Sequence, residues 1–142
     1  MNNRLRVKEI IAENNALLER AESSARVTQY DIAKTVIPFN MTDNSKAQLL
    51  AKWNNGKALQ KLTCEVLANL VGALGCTSGD LIGTPYVRLP EDCRTERRLY
   101  NRWNKFREDK GGNTLDALVK ISHEYKTAID FILLTEEEHE KP

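Results

Sequence analysis

The sequence is short of the residues that most metal, disulfide and membrane chemistry requires. Three cysteines (Cys64, Cys76, Cys93) and two histidines (His123, His139) occur in 142 residues. An odd thiol count without a C-x-x-C pair gives neither a disulfide framework nor a zinc site its spacing. Cys64 and Cys76 flank an apolar stretch, where buried, inert thiols are expected. Four prolines and seven glycines leave little room for flexible linkers. No apolar run approaches the roughly 20 residues of a membrane helix. The charged start, "MNNRLRVKEIIAENN", lacks the apolar centre of a secretion signal. A cytoplasmic location with no membrane partner is expected. A Gly-rich phosphate loop and a nucleophile–base pair are also missing, so the expectation is a non-enzyme that needs no cofactor or metal. Nowhere do apolar and polar residues alternate with β-branched enrichment, so no strand is expected.

What remains is an ordinary globular composition, 41% hydrophobic and 29% charged, with a net charge of +1. The charge is unevenly spread. Residues 1–83 hold ten Lys/Arg against eight Asp/Glu, residues 84–110 eight against five, and residues 111–142 three against seven. A basic middle and an acidic end can expose a basic face on a nearly neutral chain.

Helical periodicity dominates. Val7, Ile10, Ile11, Leu17 and Leu18 share one side of a 3.6-residue repeat, which predicts a helix over about 3–22. Asn14 within that stripe implies partial burial. Thr28 can cap a second helix that turns Ile32, Ala33 and Val36 inward, and Pro38 stops it. Thr42, Asp43 or Asn44 can cap a third helix reaching about Asn54, which "NNGK" ends through a left-handed Gly56. Residues 62–74 predict an apolar fourth helix, and "TSGDLIG" a short fifth turn. "TPYVRLP", residues 84–90, reads as an extended connector. Beyond it come a two-faced helix in "CRTERRLYNRWNKFREDK", a break at Gly111–Gly112, a helix capped by Asn113 or Thr114, and the "TAIDFILL" segment. The expected class is all-α.

In this order, "TQYDIA", then "NG", then an apolar helix, then "GDLIG", residues 3–83 resemble the Cro/repressor-like (xenobiotic-response-element type) helix-turn-helix family. The resemblance rests on Thr28, Gln29, Ile32 and Ala33, on Asn55 and Gly56, and on Gly75, Thr77, Asp80 and Leu81. It implies a DNA-binding domain over 1–83 and double-stranded DNA as partner. The third helix would enter the major groove with Ser45, Lys46 and Gln48 toward base edges. Thr28 and Gln29 at the start of the second helix, Lys52, and the turn residues Asn54, Asn55 and Lys57 would hold phosphates. Trp53 stands where the family carries an aliphatic core residue, and burial is expected. One departure is plain: "IPFNMTDNS" replaces the family's three- or four-residue turn.

Residues 84–142 form a helical extension that echoes the later elements as a degenerate half-repeat. Leu49, Trp53, Asn54, Thr77, Asp80 and Ile82 recur 50 positions on as Leu99, Trp103, Asn104, Thr127, Asp130 and Ile132. Its apolar residues Leu99, Trp103, Phe106, Phe131, Ile132 and Leu133 exceed what a first domain needs. Residues 84–142 are therefore expected to pack partly on the first domain and partly to form a homodimer contact, or to meet a protein partner, and a chain ending at Gly83 should keep its helices. The stripe Arg94, Arg98, Arg102 and Lys105 has two readings: further DNA-backbone contacts, or a solvated face neutralised by nearby glutamates. The resemblance implies a sequence-specific transcriptional regulator, a repressor of a phage or mobile element. The alternative is a protein-interaction module on the same scaffold, an antitoxin or phage structural component, which near-zero net charge favours.

Overall fold

The computed structural model describes residues 3–86, 93–108 and 113–134, and the side chains of these except 93–96. Threonine sets most helix starts. Thr28, Thr42, Thr63 and Thr77 each accept, on Oγ1, the backbone N–H three residues on, at 3.0–3.2 Å. Such caps are worth about 1 kcal/mol each. They open α2 (Gln29–Val36), α3 (Asp43–Asn54), α4 (Cys64–Leu74) and α5 (Ser78–Ile82). Asn113 does the same for α7 (Thr114–Tyr125), accepting from Asp116. The remaining helices are α1 (Val7–Arg20), α6 (Cys93–Glu108) and α8 (Ile129–Ile132). A 3-10 turn, Leu59–Lys61, follows α3. No strand occurs among the described residues, and none of their helices is long and apolar enough to cross a membrane.

Helix α1 has no local cap, and its start is completed from a distance. The Lys8 N–H donates to Asn54 Oδ1 (3.0 Å), and the preceding residues bond across the fold, Leu5 N–H to Trp53 O and Arg6 N–H to Leu81 O. Val7, Ile10 and Ile11 are buried as the stripe predicts, but the stripe fails after Asn14. Leu17 is 59% exposed, because α1 outruns the core there. Asn14 instead donates to Leu74 O, satisfying the end of α4.

One continuous core serves both halves. Trp53, Leu67, Leu70 and Leu81 belong to the same buried cluster as Leu99, Trp103, Leu118 and Ile132. Helix α8 packs on α5, and α7 on the 3-10 turn. Asp130 of α8 crosses over to accept the Ser78 and Gly79 N–H groups at 2.7 and 3.2 Å, so the short α5 takes acceptors from the far end of the chain. The apolar surplus assigned to a homodimer contact is therefore consumed within the chain. Leu99, Trp103, Phe131 and Ile132 are buried, while Phe106 and Leu133 pack partly against the same core. The break at Gly111–Gly112, residues 87–90 of the connector and the acidic end lie outside the described residues.

Candidate nucleic-acid interface

Helices α2 and α3 pack directly together. Ala33 is fully buried, and Ile32 and Val36 join Leu49, Leu50 and Trp53 in the core. The small side chain at Ala33 lets the two helices approach closely. Trp53 is fully enclosed, and its indole N–H donates to Ala58 O at 3.0 Å. The connector longer than the family's turn is anchored: Ile37 is buried, Phe39 and Met41 pack partly on the core, and Asn69 Nδ2 holds Val36 O at 3.1 Å.

With Leu49, Leu50 and Trp53 turned inward, α3 presents Asn44, Gln48, Ala51 and Lys52 outward, continued by Asn55. Asn44 was not among the expected contacts. Its signal was the i, i+4, i+8 spacing of Asn44, Gln48 and Lys52, obscured because Asn44 also competed as a cap. Of the expected residues, Gln48, Lys52, Asn55 and Lys57 are exposed, and Thr28 is exposed while capping α2. Gln29 is half-buried beside Tyr30, which is 43% exposed and also went unanticipated. Ser45 and Lys46 are half-buried, Ser45 being engaged by the cap, where the Thr42 hydroxyl donates to Ser45 Oγ. Asn54 is a correction. It is only 9% exposed, and its amide oxygen is spent on the Lys8 N–H. Gly56 ends the turn at φ +76°, as "NNGK" suggests.

On α6, Arg98 and Lys105 are exposed with no ion pair among the described residues, whereas Arg102 pairs with Glu124 of α7. The Arg94 side chain lies outside those described. Acidic groups gather elsewhere: Glu9, Glu13 and Asp80, with Arg6, line a groove between α1 and α5.

Cys64 and Cys76 are half-buried rather than buried as expected. Burial pushes the Cys64 thiol up, and Arg107 partly offsets this; burial, then Asp80 and Asp130, raise Cys76. No group of three or more metal-ligating side chains comes together among the described residues. Compared with known proteins, the chain matches no family model, no curated protein and no solved structure.

Proposed function

We propose that the chain is a sequence-specific double-stranded DNA-binding regulator, a repressor of a phage or mobile element, which reads bases through α3. The observation that carries this reading is the outward face of α3. It holds the amides of Asn44, Gln48 and Asn55 and the ammonium of Lys52, with no large apolar side chain among them. A protein-docking helix wants buried apolar or aromatic anchors at its centre, and this face has none. Amide and ammonium groups are the chemistry that pairs with adenine and guanine edges. Behind them α2 packs on a rigid core, which holds α3 at fixed depth and leaves Thr28 and Gln29 for phosphate.

Selection from a random duplex library, followed by footprinting, tests the reading. A recurrent short site is expected. Gln48→Ala and Lys52→Ala should each weaken binding to it, Gln48→Ala by about 1–3 kcal/mol with relaxed preference at one position. Failure to enrich any site overturns the proposal. The second reading, a protein-interaction module, is favoured by Leu17 and Tyr30, the two large hydrophobic side chains most exposed among the described residues.

A further inference from the structure

The later half repeats the earlier one in backbone as well as in sequence. Helices α3 and α6 begin 50 residues apart, at Asp43 and Cys93. Buried Leu49 and Trp53 then correspond to buried Leu99 and Trp103. Helices α4 and α7 also begin 50 residues apart, at Cys64 and Thr114, but from their ends onward the offset is 51. The Gly75 and Cys76 N–H groups donate to Val71 O, and those of Lys126 and Thr127 to Ser122 O. Gly75 and Lys126 are both left-handed, at φ +62° and +49°. Leu81 N–H donates to Thr77 O as Ile132 N–H does to Ala128 O. Helix α7 is one residue longer than α4, so Thr77/Thr127 and Asp80/Asp130 are not structural equivalents, although they coincide at offset 50.

The register assigns α6 a face. Positions Gln48, Ala51, Lys52 and Asn55, which α3 turns outward, correspond to Arg98, Asn101, Arg102 and Lys105. The basic stripe therefore occupies the positions of the proposed reading face, with cations in place of amides. No counterpart of α2 precedes α6 among the described residues, and α6 packs directly on α7. A helix without a positioning partner is poorly suited to base readout. Arginine and lysine side chains a turn or two apart, however, suit phosphates, whose contacts need charge and reach rather than register. The extension also meets the first half close to the end of α3. Helix α7 touches the 3-10 turn that follows α3, exposed Lys57 and Lys61 lie at that turn, and the Arg107 charge at the end of α6 reaches Cys64.

We infer that α6 is a second nucleic-acid-contacting helix, in which Arg98 and Lys105 hold the phosphodiester backbone of the duplex that α3 reads, so that one chain engages DNA through two helices. The inference rests on the proposed function, and its test separates the two. The affinity of the full chain is measured against salt on its selected duplex and on a scrambled one, for wild type, Arg98→Gln/Lys105→Gln, Gln48→Ala, and the control Arg20→Gln at the end of α1. The α6 pair should lower the slope of log affinity against log salt by about two, at about 0.9 per phosphate. It should weaken both duplexes by the same factor, with Arg20→Gln unchanged and circular dichroism intact. An unchanged slope, or an equal fall for Arg20→Gln, overturns the role of α6 and leaves the α3 reading standing if Gln48→Ala still loses preference. A slope that depends on α6 without any preference between duplexes keeps the α6 contact and overturns base reading by α3. A chain that binds neither duplex overturns both.

Discussion

Replacing Asp130 tests whether the two halves are one folding unit. Its carboxylate accepts two α5 N–H groups, from Ser78 at 2.7 Å and Gly79 at 3.2 Å, and both donors belong to buried residues. Hydrogen bonds to a charged group contribute about 1.5–3 kcal/mol each, and a buried donor left unsatisfied costs about 1–3 kcal/mol. The longer bond is the weaker, and Asp130 is only half-buried, so water can recover part of the loss. Asp130→Ala should therefore cost about 2–4 kcal/mol, a large share of the roughly 5–15 kcal/mol that holds a domain folded. Asp130→Asn keeps one acceptor oxygen without the charge and should lose about half as much. Asp80→Ala removes a carboxylate from the first turn of the same helix and should cost less than about 1 kcal/mol. Urea unfolding followed by helical circular dichroism measures all three, with a lowered midpoint and an unchanged slope expected. A loss below about 0.5 kcal/mol for Asp130→Ala, or equal losses for Asp80 and Asp130, would refute the idea that α8 completes α5.

Other outcomes follow from the same geometry. Trp53→Ala should cost about 3–5 kcal/mol by opening a cavity in the core, read as a lowered urea midpoint. Asn54→Ala should destabilise by about 1–2 kcal/mol through the uncapped start of α1, while duplex affinity per folded molecule stays unchanged. A chain ending at Gly83 should unfold less cooperatively than the full protein, since it loses Asp130 and uncovers α5 and the 3-10 turn; a sharp, fully helical transition would contradict the shared core. Cys64 should alkylate more slowly in the native than in the unfolded chain, and Arg107→Ala should slow it further by removing the offsetting charge. Because burial raises that thiol, its neutral form is favoured by folding. The associated stability is complete below the ordinary thiol pKa and is lost as pH rises through the higher folded value, which a pH series of urea midpoints would register.

The helices were legible because their punctuation is local. Thr28 before α2, Thr42 before α3, Pro38 after α2 and Gly56 after α3 act through residues a few positions apart, and a sequence displays such distances directly. Burial on α1 was misjudged beyond Asn14 because periodicity gives the direction of a face but not where the core stops. Asn54 was misassigned for a related reason: its partner, the Lys8 N–H, is 46 residues away. The apolar surplus of the second half was correctly noticed, but its destination required knowing that α8 reaches α5. Of the outward face of α3, Gln48 and Lys52 were found by chemistry and spacing together. Asn44 was hidden by its competing fitness as a cap, and Lys46 was overvalued because its charge drew attention away from its angular position beside Trp53.

The grip of Asp130 on α5 also has a consequence in time. Its bonds to Ser78 and Gly79 span 52 and 51 residues of sequence. At a synthesis rate of about 5–20 residues per second, the α5 amides wait several seconds for their acceptor to be made. During that interval α1 to α4 can assemble, since Leu5, Lys8, Asn54 and Thr63 find their partners among residues already synthesised. The growing chain thus holds a nearly assembled first half still open at α5 and at the 3-10 turn, which are covered only when α8 and α7 have been made.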